Sequence, residues 1–230
     1  MRTDIITVNN FYKDPDAVVR YAQGLQYYYP YEKGDVPAEV KKGWMSSYFQ
    51  KANECPFKSS RALIQRLEQI TGEEIDLEHW NKDFPVGEKQ NLLENFRSYD
   101  RTCRWNCCFQ VKFLPQDEGA GVHNHTTDSW NSAGEAGWAG IIYLNKDAPL
   151  DAGLRLWKNK FGQPSEWMTP AERWQLIDKF ANVFNRLILC RGDIPHSGGS
   201  GFGDSIYNGR LFQTFFFKTR AKNLDSLTIS

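Results

Sequence analysis

The spacing of apolar residues changes character midway along the chain. Ile5 to Val8 is a short apolar run and predicts a strand. Asp14-Pro15 predicts a helix start, because aspartate caps free N–H groups and proline suits the first turn. Val18, Tyr21, Ala22 and Leu25 follow at helical spacing. A second helix is predicted from about Ser59 to Ile70, with Leu63, Ile64, Leu67 and Ile70 on one face and Thr71-Gly72 as its stop. Between the helices, Tyr27 to Pro37 is aromatic and irregular. It reads as a packed loop, with a substrate-side lip as the alternative.

From Cys103 the pattern becomes that of strands. Arg104 to Leu114, Gly121 to Thr126, Trp138 to Leu144, Gly153 to Trp157, Asn185 to Cys190 and Leu211 to Phe217 are the candidates. Thr169-Pro170 predicts an inserted helix carrying Trp174, Ile177 and Phe180. Several strands joined by Gly-rich turns predict a sandwich or barrel. There is no internal repeat or low-complexity linker. The chain is therefore read as one domain, 1–230, with a helical buttress and N-terminal strands over 1–103 and a β core over 104–218.

Charge narrows the function classes. Lys+Arg and Asp+Glu both number 28, so the net charge is zero and the basic footprint of a nucleic-acid binder is lacking. No apolar run approaches the roughly 20 residues of a membrane helix. Met1 to Asn10 lacks the pattern of a secretion signal, so a cytoplasmic location is expected. Cys55, Cys103, Cys107, Cys108 and Cys190 contain no C-x-x-C pair. They read as small buried hydrophobes in a reducing compartment. Trp130, Trp138 and Trp157 read as core.

Four histidines carry the candidate chemistry: His79, His123, His125 and His196. His123 and His125 lie two apart in GVHNHTTDSW, which on a strand places both rings on one face. His196 follows the strand NRLILC in GDIPHSG, where a turn would present it. Imidazoles with open coordination positions suit non-haem Fe(II). Asp128 lies just beyond the pair and would join through a bulge at Thr126-Thr127. His79, in LEHW, reads as structural or surface. Tyr143, Asn106, Arg104 and Arg155 lie on candidate barrel strands, where alternation alone does not fix which face points inward.

Residues 104 to 218 resemble the 2-oxoglutarate/Fe(II)-dependent oxygenases, especially their prolyl-hydroxylase-like members. The shared order is VHNHTTD, the strand WAGIIYLN, the Gly-led strand GLRLW, NRLILC running into His196, and an Arg opening NGRLFQTFFF. The resemblance implies a double-stranded β-helix (jelly-roll) core within a mostly β fold with flanking helices. It implies Fe(II) and 2-oxoglutarate as cofactors, with Arg210 on the distal carboxylate; Tyr143, from its place on a candidate barrel strand, is read as a further cofactor-binding residue. A planar guanidinium grips a carboxylate bidentately, which agrees with that role.

The chain departs from the family's H-x-D/E motif, reading His123-Asn124-His125. Either His125 replaces the carboxylate or Asp128 supplies it; strand spacing favours His125. The expected activity is oxidation of a C–H bond of a small-molecule or side-chain substrate with O2. A three-His, cupin-like dioxygenase independent of 2-oxoglutarate is one alternative. A non-catalytic jelly-roll binding module is the other.

Overall fold

The computed structural model describes residues 2–28, 47–50, 55–81, 106–115, 117–126, 133–134, 136–162 and 170–220. Asp128, Trp130, Cys103, Arg104 and most of the Tyr-rich segment lie outside them. The strands are β1 (Ile5–Val8), β2 (Tyr27–Tyr28), β3 (Ser47–Gln50), β4 (Glu74–Ile75), β5 (Phe109–Lys112), β6 (Trp138–Tyr143), β7 (Arg155–Asn159), β8 (Trp174–Lys179), β9 (Leu187–Arg191), β10 (His196–Ser197), β11 (Arg210–Phe217) and β12 (Thr219–Arg220). The helices are α1 (Pro15–Gln23), α2 (Arg61–Thr71) and α3 (Leu77–Asn81).

Among the described residues the strands form a seven-stranded sheet, β1-β9-β6-β11-β5-β3-β2, a three-stranded sheet, β10-β7-β8, and the small pair β12-β4. Every pairing is antiparallel. This is a mostly β, jelly-roll-like architecture with few helices. The N-terminal strands extend the large sheet at both edges rather than forming a layer of their own.

The central strand β11 is buried along its whole length because both its faces are covered. Alternation divides its residues between them. Phe215 and Phe217 pack outward with Trp138, Ile142, Leu187 and Leu189 against Leu63 and Leu67 of α2, Phe11 and Trp80. Leu211, with Phe109 and Leu144, packs against Val18 and Ala22 of α1. Arg210, Phe212, Thr214 and Phe216 take the opposite face, toward the small sheet. Register places Lys112 opposite Arg210, and Gln110 and Tyr143 opposite Phe212, so these side chains share that inner face.

Local chemistry fixes both long helices. The Asp14 side chain accepts the Ala17 N–H at 2.9 Å, and Pro15 opens α1. Ser60 accepts the Leu63 N–H at 3.3 Å, and Gly72 closes α2 in the left-handed region at φ 72°.

The expected inserted helix after Thr169-Pro170 is not formed. A short 3₁₀ turn, Ala171–Arg173, leads instead into β8. Trp174 packs with Val122 and Trp157, with Leu176 beside them, while Ile177 is exposed. The period of two on an edge strand paired with β7 prevails over the helical spacing of Trp174, Ile177 and Phe180. Gly121 to Thr126 is likewise not a regular strand; its one bridge joins His123 to His196. Cys55, Cys107, Cys108 and Cys190 are buried. No helix among the described residues is long and apolar enough to cross a membrane.

Candidate metal centre

Main-chain bonds bring the histidines together. The His123 N–H donates to the His196 carbonyl at 3.0 Å, and the His196 N–H donates back at 2.9 Å. Two residues on, the His125 N–H donates to the Gly192 carbonyl at 2.6 Å. The segment 123–125 thus runs extended beside 192–196, and extended backbone puts alternate side chains on one face. Gly192 is required here by crowding: a Cβ would sit 2.0 Å from the Gly134 carbonyl oxygen. The His125 carbonyl in turn accepts the N–H groups of Ala133 and Gly134 at 2.9 and 3.0 Å.

The three rings form a nearly equilateral triangle, with centroids 4.8 to 4.9 Å apart. One nitrogen from each lies within 4.8 Å of the others. Tautomers follow from the outer nitrogens. His123 Nδ1 is 2.8 Å from the Gly121 carbonyl, and His196 Nδ1 is 2.8 Å from the Ile194 carbonyl. A carbonyl only accepts, so each Nδ1 carries the proton and each Nε2 keeps its lone pair. His125 Nε2 lies 3.1 Å from His196 Nε2. That is close to the roughly 3.0 Å between adjacent corners of an octahedral site with metal–nitrogen bonds of about 2.1 Å. The donor set therefore fits a divalent transition metal.

Burial favours the ligating, neutral form of His123 and His196. It pushes His196 down to about 3, with His123 adding charge repulsion, and it lowers His123 as well. Behind the site, the Phe216 ring lies tilted against His125 with centroids 4.7 Å apart, and the Cys190 Sγ lies 3.7 Å from His196 Nδ1. Burial pushes the Cys190 thiol up to about 12, so it stays protonated and packs as a small hydrophobe.

Arg210 lies deeper on the same inner face. It is among the largest fully buried side chains, and burial presses it down to about 10. Its Nε donates to the Ala152 carbonyl at 2.9 Å, while its buried Nη2 has no hydrogen-bond partner among the described residues. Tyr143 is fully buried beside it, with the Arg210 guanidinium 5.8 Å from the ring. The Tyr143 oxygen accepts the Leu154 N–H at 2.8 Å, which leaves its own proton to donate. Lys112 is buried opposite Arg210.

The other expected residues serve the fold. Asn106 joins the core, donating to the Trp80 carbonyl at 3.1 Å and accepting the Phe216 N–H at 3.1 Å. His79 is buried in α3, its Nδ1 accepting the Lys218 N–H at 3.3 Å. Trp157 donates to Ser197 Oγ at 2.9 Å, and Trp138 is core.

Sequence reasoning passed over the supports of the site. Arg191, next to Gly192, lies 3.9 Å over the Trp138 ring and donates to both Glu73 carboxylate oxygens, at 3.0 and 2.5 Å. Glu73 also accepts from Trp138 Nε1 at 2.9 Å and Thr219 Oγ1 at 2.6 Å. This network fixes the end of β9, from which the Gly192 carbonyl holds His125. A charged residue closing an apolar strand was its only signal in the sequence, as Lys112 was for the inner face.

No family model matches the chain, and no curated protein matches it in sequence. Among solved structures it is similar to a prolyl-4-hydroxylase from Pseudomonas putida, at 13% identity and a TM-score of 0.43 over 94% of this chain and 93% of that one. It is also similar to E. coli ycfD, at 14% identity and a TM-score of 0.33, over 97% of this chain and 52% of that one.

Proposed function

We propose that this chain is a non-haem iron oxygenase that uses 2-oxoglutarate and O2 to oxidise a C–H bond of a small-molecule or side-chain substrate. One observation carries the reading. Three imidazoles, with one nitrogen of each within 4.8 Å of the others, share an inner face with a buried guanidinium whose Nη2 has no hydrogen-bond partner among the described residues. A buried, unpaired charge is costly and is retained where a ligand completes it.

His123, His125 and His196 would hold Fe(II) through Nε2. Once bound, the iron supplies the one-electron and O2 chemistry that no side chain offers. Three neutral ligands leave the charge of a divalent ion uncompensated, and among the described residues no carboxylate joins them. An anionic chelating cosubstrate suits that imbalance. Arg210 Nη2 would grip its distal carboxylate, with the Tyr143 hydroxyl donating alongside. The Arg210 guanidinium is buried 4.6 Å over the Phe212 ring, and a low-polarity setting strengthens both contacts. The overall balance is 2-oxoglutarate, O2 and R–H giving succinate, CO2 and R–OH.

The same lack of a carboxylate ligand favours a second reading, the three-His dioxygenase that takes its substrate directly on the metal. Succinate separates the two. Fe(II) protein with 2-oxoglutarate and O2 is expected to release succinate, and His196→Ala to abolish it. Oxygen uptake without succinate would replace the first reading by the second.

A further inference from the structure

Arg191 ends β9 directly opposite Trp138 of β6, so its side chain leaves the sheet on the outer face, 3.9 Å over that ring. Its neighbours in the chain face the metal centre. Cys190 turns inward, 3.7 Å from His196 Nδ1, and the Gly192 carbonyl accepts the His125 N–H at 2.6 Å. The guanidinium is thus on the far side of the sheet from the histidine rings, yet one residue from the main chain that holds His125.

That guanidinium ties distant stretches of chain together. Nε donates to the Thr3 carbonyl at 2.9 Å, Nη1 to Glu73 at 3.0 Å and to the Ala136 carbonyl, and Nη2 to the other Glu73 oxygen. The Arg191 main-chain N–H donates to the Asp4 carbonyl at 3.0 Å. The bond to Ala136 bears on the metal centre, because its neighbours grip the other side of His125. Ala133 and Gly134 donate to the His125 carbonyl, and the Gly192 N–H donates to the Gly137 carbonyl at 3.0 Å. His125 is therefore held at both its N–H and its carbonyl, and both holds lead back to Arg191. The segments approach too closely for side chains: a Cβ on Gly137 would meet the Ala133 carbonyl oxygen at 1.8 Å. Glycine backbone is loose in itself, so its order here must come from neighbouring groups.

We infer that Arg191 is a positioning residue for the metal centre, fixing where His125 stands beside His196 and so how tightly the third imidazole binds the ion. The inference rests on the metal reading above, but not on the identity of the cosubstrate. A ligand held in place before the metal arrives binds it more tightly, and groups that orient ligands from outside are typically worth about 10–100-fold in metal affinity. A guanidinium suits the task. Its planar fork takes both Glu73 oxygens while its remaining donors reach the carbonyls, whereas an ammonium is a point charge without that span.

The test is titration of Co(II) into the metal-free full chain, followed by its visible absorption, with urea midpoints measured beside it. Arg191→Lys is expected to weaken Co(II) at least tenfold and to shift the absorption bands, because the third nitrogen no longer keeps its place. Leu67→Ala, a cavity in the outer core of α2, lowers stability without touching this network and is expected to leave affinity and bands unchanged. Glu73→Gln keeps Arg191 and its carbonyl bonds, so it is expected to weaken Co(II) in the same sense but by less; it carries the test should Arg191→Lys fail to fold. Unchanged affinity and bands in Arg191→Lys, or in Glu73→Gln where that variant has to serve, overturn the inference and leave the metal reading standing. Equal weakening in Leu67→Ala overturns it too, since general softening then explains the loss. A wild type that binds no Co(II) overturns the metal reading and this inference together.

Discussion

Replacing Arg210 with methionine is expected to separate ligand binding from folding. The buried guanidinium is a net burden on the empty protein. Its fall from the ordinary 12.5 to about 10 corresponds to a penalty on the order of 3 kcal/mol, at 1.36 kcal/mol per tenfold change in proton affinity. Against this stands the hydrogen bond from Nε to the Ala152 carbonyl, worth about 1.5–3 kcal/mol for a charged donor. Methionine fills similar space without the charge, among Phe212 and Tyr143. The two terms nearly offset, so Arg210→Met is expected to be neutral or modestly more stable, in line with exchanges of buried charge for apolar groups. Cosubstrate binding moves the other way. Leaving a buried carboxylate without its partner costs about 2–5 kcal/mol, a loss of roughly 30-fold to several thousand-fold. Urea unfolding of the metal-free protein reads the first effect. Titration of 2-oxoglutarate into the Co(II) protein reads the second. A destabilisation above about 2 kcal/mol with 2-oxoglutarate affinity intact would refute the reasoning and make Arg210 a structural tie.

His196→Ala removes one of three converging nitrogens, and Fe(II) affinity measured anaerobically is expected to fall by orders of magnitude; unchanged stoichiometry would dismiss the site. His125→Ala is expected to lose the metal while Asp128→Ala keeps it, and the reverse ranking would make Asp128 the ligand. Burial raises the Glu73 carboxyl but its bonds to Arg191, Thr219 and Trp138 prevail, so its net shift is downward. The stability it contributes is complete above the unfolded value near 4.5 and is lost as pH falls through the lower folded value. Wild type is therefore expected to lose more stability than Glu73→Gln on acidification below about pH 5, read by urea midpoints; parallel slopes would show that the network is inert.

The strands were legible because burial on one or both faces leaves its period in the sequence. That held for WAGIIYL, NRLILC and LFQTFFF, and the helices announced themselves at Asp14-Pro15 and by the apolar face Leu63, Ile64, Leu67 and Ile70 before Thr71-Gly72. Trp174 to Lys179 was misread because Trp174, Ile177 and Phe180 satisfy a helical period while Trp174 and Leu176 satisfy a strand period. Pairing with β7, a tertiary fact, decides between them. The spacing of His123 and His125 announced a shared face, but the partner strand through Gly192 and His196 is a contact across 71 residues. Lys112 stayed hidden for the same reason. A cation in an apolar strand marks a buried site only once register shows which face it takes.

The most direct test of the central claim is an anaerobic titration of 2-oxoglutarate into the Fe(II)-loaded protein, followed by the charge-transfer absorption of the chelate. The account predicts one saturable site per chain, a band absent without iron, and loss of that band in His196→Ala. An Fe(II) protein that binds its metal at the three histidines yet shows no band and no 2-oxoglutarate affinity would contradict it.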